Sequence, residues 1–107
     1  MEDLFPKFII ETDDELGDCL IIGKCTYHRE LAIIKENVKG GGWYKYNNET
    51  NTFTLYGESE DFGPAEIEDI QNVINNDNVY TNPYLSHPIT KKHKFIYDAY
   101  SEKIKLN

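Results

Sequence analysis

Gly41-Gly42-Trp43-Tyr44-Lys45-Tyr46-Asn47-Asn48-Glu49-Thr50-Asn51-Thr52-Phe53-Thr54-Leu55-Tyr56-Gly57 is the stretch whose reading decides the fold. Its centre, Asn48-Glu49-Thr50-Asn51, is turn chemistry, because Asn side chains bond to nearby backbone and tolerate left-handed conformations. On either side the residues are β-formers. Placing Asn47 opposite Thr52 sets Tyr46 against Phe53, Lys45 against Thr54, Tyr44 against Leu55 and Trp43 against Tyr56. One face then carries Tyr44, Tyr46, Phe53 and Leu55 as a core face. The other carries Lys45 and Thr54, with Trp43 and Tyr56 paired at its open end. A slip of one residue would exchange the faces, so the aromatics fix the parity of the register.

Working outward, Phe8–Thr12 reads as a first strand and Asp13–Asp18 as a polar turn. Cys19–Tyr27 is rich in β-formers and reads as a second, mostly buried strand, with Gly23 marking a bulge or a close backbone approach. His28-Arg29-Glu30 breaks that run, and Leu31–Ile34 reads as a third strand. Beyond the hairpin, Pro64 suits a first helical position. Glu66, Glu68 and Asp69 follow where acids favour the helix dipole. Ile67, Ile70, Val73 and Ile74 fall at helical spacing as one buried stripe, which Asn75-Asn76-Asp77-Asn78 ends. Val79-Tyr80 reads as a short extended piece, and Asn82-Pro83 and His87-Pro88 punctuate a loop. Lys94–Tyr97 reads as an edge strand before a helical or frayed end. The expected fold class is α+β: a mainly antiparallel sheet of four to six strands with one principal helix, Pro64–Asn75, packed on one face. Residues 1–107 form a single globular domain.

With 13% aromatic residues in 107, the chain has the means to build a core, which disordered chains lack. A formal charge of −8 and a single arginine, Arg29, make it a poor partner for phosphate backbones, so no nucleic-acid binding is expected. Acids dominate residues 1–18 and 58–69, while residues 91–107 carry five lysines against two acids. The N-terminal stretch is acidic and has no long apolar run, so neither a signal peptide nor a membrane span is expected. Cys19 and Cys25 share strand parity and would lie about 20 Å apart, beyond disulfide reach. Free thiols suit a reducing compartment, and the expected location is cytoplasmic.

Several motifs resemble chemistry and fail on context. Gly40-Gly41-Gly42 precedes a strand rather than a helix, so it reads as a hairpin entry that lets backbones pass closely, not as a phosphate loop. Asp61-Phe62-Gly63 spells a kinase signature with none of its companions. Cys19, Cys25 and His28 have the spacing Cys-x5-Cys-x2-His, which is not that of a zinc knuckle. Cys25 and His28 are close in sequence, but no nucleophile-elbow context accompanies them. No metal and no cofactor are expected.

The remaining candidates for a binding site are Trp43, Tyr56, Glu58, Glu60, Asp61 and His87. Trp43 and Tyr56 on the non-core face of the hairpin read either as interface anchors ringed by charge or as a second core layer covered by tail or helix. Glu58, Glu60 and Asp61 stand beside them, and carboxylates flanking aromatics suit sugar chemistry. His87 sits in a loop, where a base can work.

Val38-Lys39-Gly40-Gly41-Gly42-Trp43-Tyr44, Leu55-Tyr56-Gly57-Glu58-Ser59-Glu60-Asp61-Phe62-Gly63-Pro64-Ala65 and Glu68-Asp69-Ile70 together resemble a family of small uncharacterised bacterial proteins. The resemblance implies a hairpin–helix unit and supplies no catalytic residues. The expected function is therefore a small acidic cytoplasmic module that binds another protein, or a second copy of itself, as a regulator or a toxin-neutralising protein. The alternative is a small hydrolase or carbohydrate-binding domain using carboxylates beside aromatics.

Overall fold

The computed structural model describes residues 4–81, 93–99 and 102–107. Its strands are β1 (Phe5–Asp13), β2 (Gly17–Cys25), β3 (Val38–Asn47), β4 (Thr52–Tyr56), β5 (Val79–Thr81), β6 (Lys94–Ala99) and β7 (Glu102–Lys105). They form one sheet in the order β5-β2-β1-β3-β4-β6-β7. A single α-helix, α1 (Ile67–Asn75), and two short 3-10 turns, His28–Glu30 and Lys35–Asn37, complete the described elements.

The α+β expectation is overturned. The sheet has seven strands rather than four to six, and it is mixed, because β2 pairs with β5 and β4 with β6 in parallel. The helix begins at Ile67, not Pro64, and is nine residues long, so the protein is mostly sheet. Pro64 instead sits in an isolated bridge to Gly41. The Leu31–Ile34 strand is also corrected. The Glu11 carboxylate accepts hydrogen bonds from Ile33 N at 2.8 Å and Ile34 N at 3.0 Å, occupying the donors a strand would use. That segment becomes a strap across the sheet.

The hairpin matches the expected register pair for pair, from Trp43↔Tyr56 to Asn47↔Thr52. Asn47 Oδ1 accepts hydrogen bonds from Glu49 N and Thr50 N, and Asn51 closes the turn at φ 56°. The strand foreseen at Lys94–Tyr97 is β6, but it is not an edge: it lies between β4 and β7, the strand in which the chain returns in place of the expected helical or frayed end.

Period-two alternation sorts each inner strand onto two faces. Phe8, Ile10, Leu20, Ile22, Phe53 and Leu55 join Ile70, Val73 and Ile74 of α1 in the larger cluster. Ile9, Cys19, Ile21 and Cys25 point the other way and meet Leu31 of the strap in a smaller one. At the end of that smaller face the apolar residues give out, and the functional groups gather there.

The candidate functional site

Strand parity places Lys7 on the same face as Ile9, and β1 sets Lys7 directly opposite Trp43 of β3. The side chain cannot reach open solvent there: Lys7 is only 7% exposed. Its Nζ donates to Thr26 O at 2.5 Å and lies 4.8 Å from the centre of the Trp43 ring. No carboxylate among the described residues pairs with it; the ion pairs belong to Arg29 and Lys39. Buried charges are almost always paired. An ammonium buried with no carboxylate partner among the described residues, in a chain of charge −8, is therefore the outstanding electrostatic feature of the fold.

His28 opens the 3-10 turn after β2. The turn is fixed by Glu30, whose Oε1 accepts hydrogen bonds from Thr26 N at 3.0 Å and Tyr27 N at 2.7 Å. This aims the imidazole inward, where it is 3% exposed. Its Nε2 lies 2.7 Å from Gly42 O. A carbonyl only accepts, so Nε2 carries the hydrogen and, in the neutral ring, Nδ1 presents a bare lone pair. Nδ1 has no hydrogen-bond partner among the described residues. Burial holds the His28 pKa below its ordinary 6.5; the Gly42 bond opposes this, Lys7 adds to it, and Asp61 and Glu60 oppose it. The ring is thus oriented, neutral and open at one nitrogen.

Glycine makes the room. A Cβ on Gly41 would lie 3.3 Å from His28 Cδ2 and 2.4 Å from Phe8 O. The triple glycine therefore serves close approach within β3, with no positive φ at any of the three. Gly57 does turn at φ 71°, and a Cβ there would come within 3.0 Å of the Trp43 ring. The loop that follows is clamped to the glycines: Ser59 N donates to Gly41 O and Gly41 N to Gly63 O, both at 3.0 Å. Ser59 Oγ accepts from Asp61 N and Phe62 N, so this buried hydroxyl holds the loop.

The residues singled out in the sequence distribute around this corner. Trp43 is half-buried, edge-on to Phe5 at 5.8 Å and to His28 at 6.1 Å, a wall of the site rather than a free anchor. Tyr56 stands opposite it, with Lys45 Nζ 5.1 Å above its ring. Glu58 and Glu60 are exposed. Asp61 pairs with Arg29 at 3.7 Å and accepts Arg29 N at 3.3 Å. His87 lies outside the described residues. Cys25 is buried near the corner, and burial pushes its thiol to about 11, so it is no nucleophile at neutral pH. Burial does the same to Cys19. Among the described residues no three His, Cys, Asp or Glu side chains converge as a metal site.

Lys7 was not marked by sequence reasoning, and His28 was weighed only beside cysteine. A signal for Lys7 lies in the sequence: it has the parity of Ile9 and directly precedes the apolar run Phe8-Ile9-Ile10. For His28 no local pattern announces that Gly42, fourteen residues away, will orient it.

At one end of the mixed sheet an imidazole and an ammonium are thus both buried, with no carboxylate bonded to either among the described residues. The chain belongs to the Janus/Ocnus family, whose pattern it matches over residues 10–83. The match takes in His28, the three glycines and the Ser59–Gly63 loop, together with every segment on which the resemblance rested; Lys7 lies just before it. No curated protein matches the chain.

Proposed function

We propose that the protein is a small hydrolase of phosphoryl groups, with His28 Nδ1 as its reactive atom and Lys7 as the group that holds the oxyanion. The observation that carries this reading is the pairing, in one corner, of a buried lysine with a buried imidazole, the lysine without a carboxylate and the imidazole Nδ1 without a hydrogen-bond partner among the described residues. A phosphoryl oxygen supplies the missing negative charge, and lysine binds phosphate well as a point charge. A neutral imidazole can attack phosphorus as the ester oxygen leaves, water then cleaving the P–N bond to release phosphate, or it can take the proton of a water that attacks phosphorus directly. Other nucleophiles fit less well: both thiols are held protonated, and Ser59 is spent on its own loop. This shifts the hydrolase expectation from Glu58, Glu60, Asp61 and His87 to His28.

Trp43 is the only tryptophan and touches both groups, so it reports on the site. Inorganic phosphate should change its fluorescence saturably, and Lys7→Met should abolish the change. p-Nitrophenyl phosphate should be hydrolysed by wild type and not by His28→Ala. Hydrolysis that survives loss of His28 would overturn the assignment. Two buried free thiols suit a reducing compartment, and a cytoplasmic location remains our reading. No helix among the described residues is long and apolar enough to cross a membrane.

A further inference from the structure

The sheet ends at β7, in residues that the family pattern does not reach. β6 and β7 lie outside residues 10–83, and β7 is the last strand of the sheet order. Among the described residues no strand pairs with its outer side. Such an edge is a template for another strand, because its outward backbone groups are unpaired. The phase of the ladder is fixed by Leu106 N, which donates to Phe95 O at 2.9 Å. Inward and outward residues alternate along an antiparallel pair. Glu102, Ile104 and Leu106 therefore direct their N–H and C=O groups at β6, while those of Lys103 and Lys105 face away from the sheet.

The side chains alternate as well, between the two faces. Ile104 and Leu106 belong to the larger core cluster. Lys103 and Lys105 are exposed on the opposite face, beside Asp98 and Ile96 of β6. On this face β4, β6 and β7 carry Lys94, Lys103 and Lys105 against a single acid, Asp98. Lys45 ends the row Lys105, Ile96, Thr54, Lys45 that crosses four strands. None of these lysines is ion-paired among the described residues; the pairs belong to Arg29 and Lys39. A groove of about 450 Å³ runs beside them, bordered by Lys94, Lys105, Ile96, Thr52 and Thr54. In a chain of charge −8 this face has the reverse sign of the whole.

A second copy of the same edge does not fit. The antiparallel registers that bring the outward groups of two copies together set Lys103 against Lys105, or one of them against itself. Like charges directly opposite are destabilising. Lysines so placed guard an edge against its own copies and admit a strand that brings acids.

We propose that the outer edge of β7 takes an extended acidic protein segment as a further strand, with acids at alternate positions facing Lys103 and Lys105 and an apolar residue between them beside Ile104. Main-chain hydrogen bonds to Lys103 and Lys105 hold the segment, and the lysine face selects its charge. The surface is separate from the His28 corner and does not depend on the phosphoryl reading.

The test uses three labelled peptides of one length: glutamate alternating with valine, lysine alternating with valine, and the glutamate peptide N-methylated at its glutamate nitrogens. Fluorescence anisotropy is read near physiological salt, where remote charges are screened and contact pairs persist. The glutamate peptide should bind saturably and about tenfold more tightly than the lysine peptide, the size of two exposed cross-strand pairs turned from attraction to repulsion. The N-methylated peptide keeps the charge and lacks the donors, and should lose at least as much. Lys103→Glu/Lys105→Glu, both exposed positions, should reverse the order of the first two peptides. Hydrogen exchange at the Lys103 and Lys105 amides should be fast in the free protein and slow in the complex. No binding of the glutamate peptide, equal binding of the glutamate and lysine peptides, or an order that the double variant leaves unchanged would overturn the proposal. Full affinity of the N-methylated peptide, the behaviour of a site for any polyanion, would overturn it as well. So would Lys103 and Lys105 amides already protected in the free protein, because the edge would then be covered by the chain itself or by a second copy.

Discussion

The two faces of the sheet are built from the same strands and do different work. On one, Phe8, Ile10, Leu20, Ile22, Phe53 and Leu55 are closed over by α1 into a cluster of thirteen buried residues. On the other, Ile9, Ile21, Cys19, Cys25 and Leu31 form a cluster of five, and the face ends in Lys7, His28 and Trp43. The first face stores stability. The second gives some up, because burying the Lys7 ammonium costs desolvation that no ion pair among the described residues offsets. Functional sites are often places where a local rule is broken and the rest of the fold compensates.

Substitutions on the two faces should therefore separate activity from stability. The largest effect falls on chemistry: His28→Ala should lower phosphate-ester hydrolysis by about 10²- to 10⁴-fold, the usual contribution of a positioned proton-transfer or nucleophilic group. Its melting temperature, measured in parallel, should move far less than that of a variant on the other face. There, Leu55→Ala and Ile70→Ala remove fully buried side chains and should each cost about 2–5 kcal/mol in urea unfolding. If these two variants instead lost activity while keeping their stability, the division of labour would be wrong.

Gly42→Ala comes next. Its Cβ would sit 2.6 Å from Tyr56 O and 2.8 Å from Phe8 Cε1, so the β3–β4 pair must shift, at a cost of about 1–3 kcal/mol. Because Gly42 O also orients His28, activity should fall with it. Lys7→Met sharpens the contrast most: it should leave stability unchanged or raise it by about 1 kcal/mol, while phosphate no longer alters Trp43 fluorescence. A large loss of stability would mean that Lys7 serves the fold and not a ligand.

The smallest effect is one of pH. Burial keeps the folded His28 pKa below 6.5, so the unfolded chain takes up a proton that the folded chain resists. This histidine's share of stability is complete above 6.5 and declines as pH falls from there towards the folded pKa. Urea unfolding followed from about pH 7.5 to about pH 5 should show that decline in wild type, and a shallower one in His28→Asn. Equal slopes would mean that the imidazole is not held neutral.

How far the sequence could be read depends on how local the deciding interaction was. The β3–β4 hairpin was legible because its turn and its alternation lie within seventeen residues, and only one parity puts Tyr44, Tyr46, Phe53 and Leu55 together. The helical stripe was legible for the same reason in Ile70, Val73 and Ile74, whereas Ile67, expected to be buried with them, is exposed in the first turn. Leu31–Ile34 misled because apolar residues at β-spacing say nothing of a carboxylate twenty-two residues earlier that takes their backbone donors. The carboxylates at 58–61 drew attention as catalytic groups because their type is conspicuous in a sequence. In three dimensions Glu58 and Glu60 are exposed and Asp61 pairs with Arg29, while the buried polar groups nearby are an unremarked lysine and a histidine.

By itself, then, the sequence determined the hairpin with its register, the amphipathic stripe and the acidity of the surface, all consequences of side-chain period and composition. Only the tertiary structure decided that β5 and β6 would add in parallel at opposite sides of the sheet, that the strap would close the second face, and that Lys7 and His28 would meet beneath Trp43. Those outcomes follow from burial and pairing between segments remote in the chain. Such contacts depend on which surfaces are left to cover once the local elements have formed, and that is not written in any one stretch of residues.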